Sequence, residues 1–166
     1  MKNLRRYHRL YDICFTTNVT YDRNPILIDN IDLFWKAVEN TKSRTDFEII
    51  AWVILPDHFH MILDPKHQDI SRIIQRIKMS FAAYYRKENG LLSGRVWQNR
   101  FWDHIIRDDN DMQRHVDYVH FNPVKHGLAK SPFEWEYSSV FQFYPEREWK
   151  FDLKLAEEFE SGEFGE

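Results

Sequence analysis

Apolar residues along this chain alternate between two kinds of pattern: short dense runs and stretches spaced every three to four positions. Each change of pattern marks a new element. Residues 10–19 (LYDICFTTNV) are rich in β-branched and aromatic types and predict a strand. Asp29 or Asn30 is placed to cap a helix running to about residue 42, with Ile31, Phe34 and Val38 at helical spacing. Residues 47–55 (FEIIAWVIL) form a second strand, Pro56-Asp57 a turn, and residues 58–63 (HFHMIL) the return strand of a hairpin. A long helix follows from Asp69, a suitable N-cap, to Glu88. Ile70, Ile73, Ile74, Ile77, Phe81, Tyr84 and Tyr85 make its apolar stripe, and Asn89-Gly90 ends it. A strand is expected near 101–107. A last helix opens at Asp108 or Asp109, carries His115 and Tyr118, and is expected to stop or kink at Pro123. The order β-α-β-β-α-β-α predicts an α+β fold, a mostly antiparallel sheet with helices packed on it.

The chain's 166 residues give one domain, with no internal repeat. Glycine is scarce, 5 in all, which argues against a glycine-rich phosphate cradle. The single cysteine, Cys14, excludes an internal disulfide framework and a multi-thiolate zinc site. The longest uncharged apolar run, Ile49 to Leu55, is far short of the ~20 residues a bilayer demands. The start, MKNLRRYHRL, is basic but leads into no apolar run, so the expected compartment is the cytoplasm. The net charge of −3 conceals an asymmetry. Residues 146–166 carry −5, eight acids against Arg147, Lys150 and Lys154, so the expected division is a domain over 1–145 and an acidic tail over 146–166. Within residues 70–100, Arg72, Arg76, Lys78, Arg86, Lys87, Arg95 and Arg100 are opposed only by Glu88, a block that can attract phosphate backbones.

Two constellations carry candidate chemistry. His58-Phe59-His60 sits on a predicted strand, where residues two apart point to one face, so both imidazoles can serve one divalent ion. His115, Tyr118 and Asn122 are spaced three and four apart and share a helical face. Tyr118 offers a phenol, and Asn122 an amide oxygen suited to Mg²⁺ or Mn²⁺. Two histidines and an amide would leave coordination positions for a scissile phosphate, and a tyrosine there could attack phosphorus. A phosphotyrosine keeps the energy of the phosphodiester, so strands can be rejoined without ATP.

These residues lie in longer motifs. Val53-Ile54-Leu55-Pro56-Asp57-His58-Phe59-His60-Met61-Ile62-Leu63 resembles the His-hydrophobe-His (HUH) segment of single-tyrosine transposases. The segments VWQNRFWDH (96–104), DYVHFNPVKHGL (117–128) and WEYSSV (135–140) resemble one branch, the REP-associated tyrosine transposases. The resemblance covers most of residues 10–145. It implies a ferredoxin-like α+β fold, the HUH nuclease fold. It implies an enzyme dependent on Mg²⁺ or Mn²⁺ that cleaves and transfers single-stranded DNA near a hairpin of a palindromic repeat. It also implies that His58 and His60 are metal ligands and Asn122 the third, where insertion-sequence relatives tend to have Gln. Tyr118 becomes the nucleophile, forming a 5′-phosphotyrosine and releasing a 3′-hydroxyl, with His115 and His120 close by. The branch favours a monomer over a dimer with swapped tyrosine helices.

Single strands are held by basic grooves and aromatic stacking, which marks Arg95, Trp97, Gln98, Arg100 and Lys125 as candidate DNA contacts. A second reading is a non-catalytic, sequence-specific DNA-binding repressor on the same fold. A third is a metal-dependent phosphodiesterase whose nucleophile is water.

Overall fold

A computed structural model describes residues 12–145; the acidic segment expected as a tail, 146–166, lies outside the described residues. The elements are β1 (Cys14–Val19), α1 (Ile31–Lys42), β2 (Glu48–Ile54), β3 (His58–Asp64), α2 (Ile70–Glu88), β4 (Trp102–Ile105), α3 (Asp109–Lys125) and a single-turn α4 (Val140–Phe143). The strands form one sheet in the order β2-β3-β1-β4, with every neighbouring pair antiparallel. This is the expected ferredoxin-like α+β arrangement.

The two central strands, β1 and β3, are covered on both faces, so their polar residues Thr16, Thr17, Asn18, His58 and His60 are buried along with the apolar ones. Phe59, Met61 and Leu63 of β3 join Phe34 of α1 and Ile73, Ile77 and Phe81 of α2 in one core. Phe15 and Ile62 look the other way and pack with Val116, Tyr118 and Val119 of α3. By the same alternation His58 and His60 share the α3 side with Ile62. In β2, Ile49 pairs with Leu63 but Ala51 pairs with Ile62, so Ile50 is the extra residue of a bulge. The bulge reverses the facing of odd positions: Ile49 packs with the first core, Ala51 and Val53 with the second.

Residues 137–139 run along the outer edge of β2. Ile54 N donates to Tyr137 O and Ser139 N to Trp52 O, each at 2.9 Å. This blunts an otherwise open strand edge. His120 of α3 anchors the segment, with Nε2 2.9 Å from Ser139 Oγ. Burial holds the His120 imidazole down to about 3, so the ring is neutral at pH 7.

Asp69 caps α2 as expected, its side chain accepting from Ser71 N at 2.8 Å. Helix α3 differs from expectation at its end. Of the two expected outcomes at Pro123, a stop or a kink, the stop does not occur; the helix continues through Lys125. The ring removes one N–H near the last turn, and that turn closes without it. Asn122 O accepts from His126 N at 3.0 Å, and Pro123 O accepts from Leu128 N at 2.8 Å. Gly127, at φ +67°, makes this closure, with its N donating to Val124 O at 2.9 Å. A Cβ there would meet nothing within 4 Å, so only the left-handed backbone opposes a side chain. Gly127→Ala is expected to lower unfolding free energy by about 1 kcal/mol in chemical denaturation, with an unchanged denaturant slope.

Candidate functional site

The site begins at the turn between β2 and β3. Leu55 N donates to His58 O at 2.8 Å, closing a two-residue connection at Pro56-Asp57. Thr20 fixes the turn from outside, donating through N and Oγ1 to Asp57 O at 2.8 and 2.9 Å. β3 therefore starts in a defined register with His58, and two positions later brings His60 to the same face. Both histidines are buried, with ring centroids 5.1 Å apart.

Each ring is held at Nδ1. Asp57 Oδ1 lies 2.6 Å from His58 Nδ1, and Asp57 Oδ2 accepts from Arg23 Nη1 at 3.1 Å. Burial alone would raise the Asp57 carboxyl, but His58 and Arg23 outweigh it and hold the group down to about 2. A carboxylate only accepts, so His58 Nδ1 carries a proton, and in the neutral ring the lone pair falls on Nε2. Thr17, the cross-strand partner of His60, sets its Oγ1 2.9 Å from His60 Nδ1. This is the pattern by which outer groups orient metal-binding imidazoles. Asp57→Asn is expected to weaken divalent-ion affinity about 10–100-fold, read by calorimetric titration, with little change in melting temperature.

Helix α3 supplies the phenol. The Tyr118 ring centroid lies 5.4 Å from that of His60, edge to face. Phe15 stacks on His60 at 5.5 Å and meets Tyr118 at 5.9 Å, so one core ring locates both. Asn122 follows one turn later and is fully buried. At the helix end, the His126 ring comes within 4.9 Å of His58. Lys125 reaches back two turns to set Nζ 3.1 Å from Tyr118 Oη. The imidazole pair, the phenol and the last turn of α3 thus come together from distant parts of the chain. Two imidazoles and one amide oxygen are a donor set that could hold a divalent metal ion.

The other candidates are distributed more widely. His115 packs on Phe15 at 5.0 Å and joins a cluster at the start of α3. There His104 Nε2 lies 2.8 Å from Asp111 Oδ2, and His115 Nδ1 2.7 Å from Asp111 O. The ligand atoms of His104, Asp111 and His115 lie within 4.8 Å of one another, a second donor set that could hold an ion. The His104 and His115 rings stack 4.6 Å apart at 11°. His120 serves the β2 edge described above. Trp97 is mostly core, its ring packed against Phe59 and Phe81 and its Nε1 donating to Lys78 O at 2.9 Å, and it also lines the neighbouring groove. Arg95, Gln98 and Arg100 do line an open groove of about 1260 Å³ between α2 and residues 95–103. Lys78 and Arg86 line it too, with Asp103 the opposing carboxylate. Thr17 is part of the same lining, so the groove reaches the residue that orients His60.

Sequence reasoning missed Thr17 and Asp57 as orienting groups. Asp57 left a signal, a carboxylate directly before the first histidine. Thr17 left none, because its contact exists only through strand pairing.

Comparisons with known proteins agree with this geometry. The family described as "Transposase IS200 like" matches residues 10–121. The chain is similar to a REP-associated tyrosine transposase of Escherichia coli, 37% identical over 127 residues, covering 75% of this chain and 73% of that one. It is 36% identical over 162 residues to a Haemophilus influenzae protein provisionally given the same name, covering 88% and 92%. A solved structure described as a REP-associated tyrosine transposase bound to a REP hairpin superposes with a TM-score of 0.83 at 31% identity, over 100% of this chain and 98% of that one. Among the described residues no helix is long and apolar enough to cross a membrane. With two thirds of its length matched and a tyrosine set against a histidine pair, the chain belongs to the IS200-like transposase family and is a DNA-cleaving tyrosine transposase.

Proposed function

We propose that this chain cuts and rejoins single-stranded DNA beside a hairpin, with Tyr118 as nucleophile. The observation that carries the reading is the 5.4 Å approach of the Tyr118 ring to His60, within a site built from one chain. A tyrosine and histidine pair supplied in cis favours a monomer that acts without exchanging helices. The hairpin enters the reading from the solved relative, which is described as bound to one.

Attack of Tyr118 Oη forms an O–P bond and breaks the bond from phosphorus to the 3′-oxygen. The phenol gives up its proton, and the departing oxygen takes one up to become a 3′-hydroxyl. The 5′ end stays on the protein as a phosphotyrosine, and the same step reversed joins it to another 3′-hydroxyl. His58, His60 and Asn122 would hold a divalent ion, which when bound neutralises charge on the scissile phosphate. Asp57 and Thr17 keep the imidazoles aimed. Tyr118 is wholly buried, so DNA must part the groups over its hydroxyl before a phosphate can arrive. Arg95, Arg100, Lys78 and Arg86 give the groove the charge to track a backbone toward Thr17, and Gln98 adds a neutral hydrogen-bonding group.

The test is incubation of labelled hairpin oligonucleotides with the protein and Mg²⁺ or Mn²⁺. An adduct that survives denaturing electrophoresis is expected. Tight binding without any adduct, across several palindromes and both ions, would establish the repressor reading instead.

A further inference from the structure

Helix α3 places a second functional group on the nucleophile. Lys125 Nζ lies 3.1 Å from Tyr118 Oη and 5.0 Å from the ring centroid. The residues are seven apart, two turns along one helix, and side chains on a helix lean toward its N-terminus, so Lys125 reaches back over Tyr118. The Gly127 turn fixes the backbone directly beyond it. Both residues belong to one element. The contact therefore survives any movement of α3 against the sheet that opens the buried hydroxyl to DNA.

From this geometry we infer that Lys125 is a catalytic residue of the cleavage and rejoining steps, not a phosphate anchor. The assignment rests on Tyr118 being the nucleophile, as proposed above. An ammonium donating to a neutral phenol oxygen gains little. The same hydrogen bond strengthens as negative charge builds on Oη, which happens as the proton leaves during attack. It weakens once Oη is an ester oxygen in the phosphotyrosine, and strengthens again as the O–P bond breaks on rejoining. Lys125 therefore stabilises the charged oxygen in both directions, at the moment of bond change and not in the bound ground state. That is the condition for a group to raise the rate and not merely the affinity. Loss of one such donor slows comparable reactions about 10²–10³-fold.

The experiment measures single-turnover adduct formation at saturating hairpin, and hairpin affinity separately, for the full chain and for Lys125→Met and Lys125→Arg. Lys125→Met is expected to slow adduct formation about 100-fold or more with affinity within about threefold, and Lys125→Arg to restore part of the rate. Incorporating 3,5-difluorotyrosine at position 118 makes the phenol more acidic and should shrink the Lys125→Met penalty to about tenfold. An unchanged rate in Lys125→Met overturns the assignment, as does a loss confined to affinity. A penalty of equal size for the native and fluorinated phenols also overturns it, since that would mean packing alone. If wild-type protein forms no adduct at all, the phosphotyrosine reading itself fails and takes this assignment with it.

Discussion

Tyr118→Phe is expected to abolish the covalent protein–DNA adduct, by at least about 10⁴-fold, while hairpin binding persists. The substitution removes one oxygen and keeps the ring. Phe can occupy the same place against His60 and Phe15, so the core on the α3 side keeps its packing. The folded state loses the hydrogen bond from Lys125, a change on the order of 1 kcal/mol. Melting temperature should thus move by a few degrees while the chemistry disappears. The same variant separates the tyrosine enzyme from a phosphodiesterase that uses water. If cleavage continues at an undiminished rate in Tyr118→Phe and stops in His58→Ala, water is the nucleophile, and the phenol is only a core ring. Both products are read on one denaturing gel, the adduct by its retarded mobility and the cut strand by its length.

The sequence carried the fold well, because its local signals agreed with the tertiary outcome. Strands β1 and β3 are central and buried on both faces, and they were legible through the β-branched and aromatic residues of the one and the Pro56-Asp57 turn before the other. The Asp69 cap and the Ile70-to-Phe81 stripe give α2 with its start within one residue. Pro123 misled because a proline rule written for helix interiors applies weakly two residues from a helix end, where few N–H bonds remain to be lost. The pairing of His58 with His60 was legible through strand periodicity, and that of Tyr118 with Asn122 through helical periodicity. Their meeting across β3 and α3 came only from the resemblance to single-tyrosine transposases, since no local pattern encodes which sheet face a distant helix will cover. Trp97 and Lys125 show the same gap. Each stands in a basic, aromatic stretch that suits DNA; the fold puts most of the Trp97 ring in the core at the edge of the groove and sets Lys125 Nζ on Tyr118, placements that no local pattern encodes.

Asp111→Ala should destabilise the fold by about 3 kcal/mol, with Asp111→Asn costing about 1 kcal/mol. Asp111 is buried in the first turn of α3, and its carboxylate binds the helix to β4. Oδ2 accepts from Arg107 N at 2.9 Å and Arg107 Nε at 3.2 Å, and lies 2.8 Å from His104 Nε2. The cost sits at the lower end of that for breaking a buried pair. His104 and Arg107 are partly exposed, with 25% and 70% of their side-chain surface open, so water can re-solvate them. Asn keeps the shape and an acceptor but not the charge, hence the smaller loss. Burial would raise this carboxyl, but the bonds from His104 and Arg107 overcome that and hold it well below the usual range. Its stabilisation is therefore complete above its unfolded pKa of about 3.8 and declines as pH falls below that value. Denaturation midpoints measured from pH 7 to pH 2 should drop less steeply at the acid end in Asp111→Asn than in wild type. The effect on function follows from position. Asp111, His115 and Tyr118 are successive turns of one helix, and His115 packs on the Phe15 ring that locates Tyr118 and His60. Loosening the first turn should slow adduct formation at temperatures well below melting. A stable Asp111→Ala protein with wild-type adduct rate would mean that the sheet and the last turn of α3 suffice to hold the phenol in place.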